Sequence, residues 1–167
     1  MKGKKFIAIS GNIGIGKSTL TKKLANHFGW EPYLEPVREN PYLQDFYKDM
    51  KKWAYHSQMF FLAKRLEDHY QLVINKESVI QDRTIYENAD IFAKNLYRRG
   101  FLTKRDWNVY QDIYKTCIKI LPPPDLVIYL KAEVDTIMQR IKNRGRDFEK
   151  TISRKYISEL NDLYNDW

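Results

Sequence analysis

Apolar side chains fall along this chain in two alternating patterns. Four short runs, Lys5–Ser10, Tyr33–Glu35, Val79–Asp82 and Leu126–Leu130, have the length and residue types of strands. Between them, apolar positions recur every three or four residues, as on one face of a helix. The spacing predicts a helix after the first strand, where Leu20, Leu24, Ala25 and Phe28 repeat. It predicts others from Asn40-Pro41 to about Met50, from Trp53 to about Asn75, and from Thr103 to about Ile120. The last two run from Val134 to about Asn143 and from Ser153 to Trp167. Asn40 reads as an N-cap followed by a first-turn proline, and Thr103 as a second cap. Pro122-Pro123-Pro124 and Gly145 read as helix breakers. Strands that alternate with helices predict a single α/β domain built on a parallel sheet. No repeat, linker or low-complexity segment interrupts it.

In sheets of this kind ligands gather at the carboxyl ends of the strands. The first strand runs directly into Gly11, Asn12, Ile13, Gly14, Ile15, Gly16, Lys17, Ser18 and Thr19, which fits G-x-x-x-x-G-K-[ST] and opens a helix. Glycines let the backbone curl until its N–H groups point at phosphate oxygens, and the helix N-terminus adds partial positive charge. Lys17 is expected to reach the β- and γ-phosphates of a nucleoside triphosphate such as ATP, and Ser18 to ligate Mg²⁺.

The ends of the second and third strands carry further chemistry. Glu35 could accept a proton from an attacking hydroxyl, and it would repel an acceptor that was itself a phosphate; an acidic surface residue before a proline turn is the simpler alternative. Asp82 can hold Mg²⁺, and Arg83 can stabilise a transferring phosphoryl group; a strand-end salt bridge is the simpler alternative for this pair. Arg140 and Arg144 share one helix face, and like charges at that spacing repel mildly. A bound triphosphate would relieve the repulsion, as would Asp147 and Glu149. With Arg146 and the Gly145 joint, this segment, about 140–150, reads as a lid. Gln58, Phe61 and Arg65 share a stripe of the long helix that could read the edge of a base.

Composition narrows the picture. The 167 residues suit one domain, and a net charge of +8 favours anionic ligands. Arg98, Arg99, Lys104 and Arg105 read as a solvated cluster. No apolar run could span a bilayer, so no membrane partner is expected. Cys117 is the only cysteine and reads as a buried thiol; with no room for a leader before the first strand, a cytoplasmic location is the expectation.

Taken in order, these pieces resemble the deoxynucleoside kinase family, most of all its bacterial deoxyadenosine/deoxyguanosine kinase branch. The markers are Gly11–Thr19, Glu35-Pro36-Val37, the Tyr47, Trp53, Gln58 and Arg65 series, Asp82-Arg83-Thr84, and the Arg140, Arg144 and Arg146 lid. The resemblance covers about Phe6 to Trp167. It implies a P-loop kinase with a parallel sheet in the order 2-3-1-4-5, and a homodimer formed through helices. It implies that Glu35 activates a nucleoside 5′-hydroxyl while Arg83 contacts that hydroxyl and the incoming phosphoryl group. By the same resemblance Tyr47 and Glu149 bind the sugar 3′-hydroxyl, Gln58, Arg65 and Asn88 read the base, Phe92 stacks on it, and the lid arginines hold donor phosphates.

Three departures stand out. Asp82-Arg83-Thr84 replaces a common Glu-Arg-Ser, Asn88 stands where many members have aspartate, and Ser57 stands where animal members have an aromatic residue. A wider pocket at Ser57 would suit a purine. The family continues into a fifth strand and a loop around the donor base, so a C-terminal segment carrying both is expected to be missing from this sequence. The expected reaction is transfer of the γ-phosphoryl group of a nucleoside triphosphate to a deoxynucleoside, in nucleotide salvage. A nucleoside monophosphate kinase is the enzymatic rival, but its acceptor calls for basic residues where Glu35 stands. A nucleic-acid-binding module is the other, but no aromatic platform interleaves with a basic stripe, so no nucleic-acid partner is expected.

Overall fold

The computed structural model describes residues 3–167. Four parallel strands form one sheet in the order β2-β3-β1-β4. They are β1 (Phe6–Gly11), β2 (Glu31–Tyr33), β3 (Val79–Asp82) and β4 (Leu126–Leu130). This is the expected order for the four strands of the sequence. The register sets Ile9 beside Asp82 and Gly11 beside Leu130, so the strand ends that carry chemistry lie side by side.

Each face of the sheet is covered by a helix. Ile9 and Ile80 meet Ala25 of α1 (Lys17–Phe28) on one face. Phe6, Ala8 and Val79 meet Leu72 on the other, from the long helix α3 (Met50–Ile74). The largest apolar cluster lies between α3 and the other helices, where Leu62, Ile85, Leu96, Tyr110, Ile137, Ile157 and Leu160 are buried together. They belong to α3, α4 (Ile85–Glu87), α5 (Lys94–Arg98), α6 (Lys104–Ile120), α7 (Val134–Arg144) and α8 (Arg154–Asp166). Cys117 is buried in the same cluster, as expected.

Three elements depart from the hydrophobic pattern. The second strand was expected over Tyr33–Glu35, but pairing covers Glu31–Tyr33 and Glu35 lies beyond it. Its neighbour β3 ends at Asp82 because Arg83 turns into the left-handed region, at φ 65°. Pro32 is tolerated in β2 because this is an edge strand. Asn40 caps no long helix: its carboxamide oxygen accepts from the Tyr42 amide at 2.9 Å, and the short α2 (Leu43–Lys48) follows. Asp49 then breaks the chain and caps α3 by accepting from the Lys52 amide at 3.1 Å, so α3 begins before Trp53.

The third departure is a helical stretch that the hydrophobic pattern does not predict. Thr84 and Glu87 form a reciprocal capping box, and a π-helical turn over Asn88–Ala93 joins α4 to α5. The Thr-x-x-Glu spacing is its sequence signal. Arg99 also corrects the solvated reading of its cluster: its guanidinium carbon lies 4.8 Å from the centre of the Phe101 ring, and it pairs with Glu159 at 3.5 Å.

Candidate active site

The phosphate loop follows β1 and wraps the first turn of α1. Gly14 sits at φ 74°, where a side chain is strained, and an added Cβ would lie 2.6 Å from Ile141 Cγ1. Glycine therefore lets α7 pack directly on the loop. Ile13 and Ile15 through Thr19 line a cavity of about 680 Å³ with Gly14, while the Gly11 and Asn12 side of the loop faces away from it. Asn12 is turned into the protein, and its carboxamide donates to Ile157 O at 3.0 Å and Asn161 Oδ1 at 2.6 Å. The Asn12 carbonyl accepts from Lys17 Nζ at 2.9 Å. Burial, joined by the nearby Arg83 charge, pulls the Lys17 ammonium down to about 8.

Ser18 Oγ donates to Asp82 Oδ2. The other Asp82 oxygen is buried and bonds to no described residue. A hydroxyl beside a carboxylate oxygen still free to coordinate is a donor set that suits a hard divalent cation such as Mg²⁺.

Glu35 stands across the cavity from this corner. Arg83 Nη1 donates to its Oε1 at 2.5 Å, and Arg65 Nη2 lies 3.3 Å from the same oxygen. Burial pushes the Glu35 carboxyl up. The charges of Arg83, Arg65, Lys17 and Arg146 outweigh it and hold the group at about 2. Arg83 is driven the other way by burial, but Glu35 and other anions keep its guanidinium firmly charged. It also donates to Gly11 O at 3.4 Å and lies 4.2 Å above the Phe92 ring.

The expected base-reading residues divide into two groups. Gln58, Asn88 and Phe92 line the cavity. Gln58 Oε1 and Asn88 Nδ2 are buried and bond to no described residue, which suits groups that meet a polar ligand. The π-helical turn sets Asn88 and Phe92 one turn apart, facing inward. Arg65 does not join them. It is fully buried and donates to the Asp82 carbonyl at 3.1 Å while pairing with Glu35. Ser57 also turns away, accepting from Asn40 Nδ2 at 3.1 Å.

The lid arginines are engaged within the protein. Arg140 Nη1 donates to the Ile15 carbonyl of the phosphate loop at 2.8 Å. Arg144 grips Glu149 with two nitrogens, at 3.0 and 2.7 Å, and Arg146 adds a contact at 3.2 Å. Glu149 thus takes up two arginines expected to hold phosphate. Gly145 ends α7 in the left-handed conformation at φ 67°. Tyr47 faces the cavity and stacks on Phe148, with ring centres 6.0 Å apart. Sequence reasoning passed over Phe148, Tyr156 and Lys23, which also line the cavity and carry no motif signal.

A parallel sheet with a glycine loop after β1, and a cavity there lined by carboxylates and arginines, is the arrangement of a P-loop kinase fold. The profile of the deoxynucleoside kinase family matches residues 7–167, and the chain belongs to that family. It is 39% identical over 164 residues to the deoxyadenosine/deoxycytidine kinase of Bacillus subtilis (strain 168), covering 97% of this chain and 76% of that one. It is 42% identical over 159 residues to the deoxyguanosine kinase of the same organism, covering 93% and 74%. Among solved structures, the deoxyadenosine kinase of M. mycoides with bound dATP superposes with a TM-score of 0.87 at 37% identity, covering 97% of this chain and 82% of that one.

Proposed function

We propose that this deoxynucleoside kinase phosphorylates a purine deoxynucleoside at its 5′-hydroxyl, with ATP or another nucleoside triphosphate as donor and Mg²⁺ as cofactor. The observation that carries the reading is Glu35, a half-buried carboxylate that lines the phosphate-loop cavity and is held there by Arg83. The 5′-oxygen attacks the γ-phosphorus, the bond from that phosphorus to the β,γ-bridging oxygen breaks, and the nucleoside diphosphate leaves. Glu35 takes the hydroxyl proton. Arg83, with Arg65, keeps Glu35 ionised before substrate arrives; once Arg83 turns to the phosphoryl oxygens, one of the charges that hold the carboxyl down is withdrawn, and Glu35 becomes a better base.

Lys17 and the loop amides would hold the donor phosphates, with Arg140, Arg144 and Arg146 closing from the lid. Ser18 and Asp82 would hold Mg²⁺, which neutralises charge on the β- and γ-phosphates. Gln58 and Asn88 would bond the base edge, with Phe92 against its face. Their unpaired amide groups fit a purine, which offers donor and acceptor atoms on one edge. Tyr47 and Glu149 would meet the 3′-hydroxyl. A homodimer in the cytoplasm completes the reading. No helix among the described residues is long and apolar enough to cross a membrane.

The test is a panel of the four deoxynucleosides with ATP and Mg²⁺, with deoxyadenosine monophosphate as a competing acceptor. Deoxyadenosine or deoxyguanosine turns over fastest and the monophosphate does not react. Glu35→Gln retains triphosphate binding and loses roughly 10²–10⁴ of the turnover. Near-normal turnover in that variant removes Glu35 from the mechanism.

A further inference from the structure

Glu87 takes no part in this scheme, yet it is fully buried and bonded on every side. Its Oε2 accepts from Ser10 Oγ at 2.8 Å, Thr84 N at 2.9 Å and Thr84 Oγ1 at 3.2 Å. Its Oε1 accepts from Tyr164 Oη at 2.9 Å and Gly11 N at 3.3 Å. Those donors come from the end of β1, the first residue of the phosphate loop, the residue after Arg83, and α8. One carboxylate therefore joins the two strand ends on which the chemistry depends.

Arg83 needs such a tie. A non-glycine residue at φ 65° is strained and persists only where its surroundings over-determine it. On one side its amide donates to Ile9 O at 3.0 Å. On the other, Glu87 clamps Thr84 through the capping box. The Arg83 guanidinium reaches the Gly11 carbonyl, and Glu87 holds the Gly11 amide. Both ends of that contact are thus fixed by the same side chain. The Glu87 charge also opposes the burial that draws the Lys17 ammonium toward neutrality. Each oxygen faces a backbone amide, Thr84 N or Gly11 N, so both oxygens must accept. A glutamine, in either orientation, would set its N–H₂ against a backbone N–H.

We propose that Glu87 is a positioning residue for phosphoryl transfer. It locks the Arg83 turn to the first glycine of the phosphate loop, so that the guanidinium can pass from Glu35 to the transferring group without searching. The inference rests on the kinase reading.

The test is Glu87→Gln in the full chain. Turnover falls by about 10²-fold, the effect of a displacement near 1 Å, while KM for both substrates changes little. In NMR spectra the Arg83 side-chain Nε signal shifts and broadens, and the backbone spectrum away from β1, β3 and α8 is preserved. Unchanged turnover, or an unchanged Arg83 signal, overturns the proposal. Should Glu87→Gln fail to fold, the pair Ser10→Ala and Tyr164→Phe removes two donors and keeps the charge. A smaller fall in turnover at constant KM, with the same broadening, supports the proposal; normal turnover and a normal Arg83 signal make Glu87 a structural residue only. If the wild-type chain phosphorylates no deoxynucleoside, the kinase reading fails, and the Arg83 signal still decides the role of Glu87.

Discussion

Glu35 is pulled in two directions, by partial loss of hydration that favours the neutral acid and by cations that favour the anion. The cations win, and the carboxyl sits at about 2 against an ordinary 4.5. A group whose folded value is depressed contributes stability above its unfolded value, and that contribution is lost as pH falls through the folded one. The Glu35 ion pairs should therefore stabilise fully above about pH 4.5 and fade toward pH 2. Chemical denaturation of wild type and Glu35→Gln at several acidic pH values checks this: the gap between their midpoints narrows as pH falls across that window. A constant gap would show that Glu35 does not titrate there. The sequence pointed to Glu35 by its place after an apolar run, and the fold sets it on the wall of the phosphate-loop cavity. Its partners were not, because Arg65 and Arg83 reach it from distant parts of the chain.

At the scale of elements, local signals served where local bonds decide the outcome. Thr103 accepts from the Asp106 amide at 3.1 Å, and the Asp106 carboxylate accepts from the Thr103 amide at 3.1 Å, so α6 starts where its cap predicts. Thr103→Ala should cost about 1 kcal/mol in a denaturant melt, the ordinary value of an N-cap, with kinase activity intact because this cap lies outside the cavity. A larger loss would mean that the cap also secures the core beneath it. Both β3 and β4 also end as the apolar runs predict. The misplaced β2 shows the opposite case. A three-residue edge strand has little pattern of its own, and its limits follow from where its neighbour turns away at Arg83. The π-helical turn likewise answers to a requirement of the fold, since it brings Asn88 and Phe92 to one cavity wall.

Across the whole molecule, the proposed lid would tie the two proposed substrate positions together. Arg144 and Arg146 are held by Glu149, the residue proposed to meet the sugar 3′-hydroxyl. Donor phosphates that draw these arginines away would free Glu149 for the nucleoside. A non-hydrolysable triphosphate should thus tighten deoxynucleoside binding in calorimetry, and the nucleoside should tighten triphosphate binding by the same factor, since coupling is reciprocal. Independent binding would show that the Glu149 contacts do not exchange.

The chain by itself determined the alternation of strands with most of the helices and the place of the glycine loop, because periodicity, caps and glycine backbones act over a few residues. Its ordered markers carried the family as well. Only the folded molecule decided that Arg65 supports Glu35 instead of facing a base, that Glu149 holds the lid arginines, and that Glu87 binds the phosphate loop to the Arg83 turn. Each of those is a contest for hydrogen bonds and charge among groups far apart in sequence, and it is settled only when packing has excluded water and fixed which of them can meet.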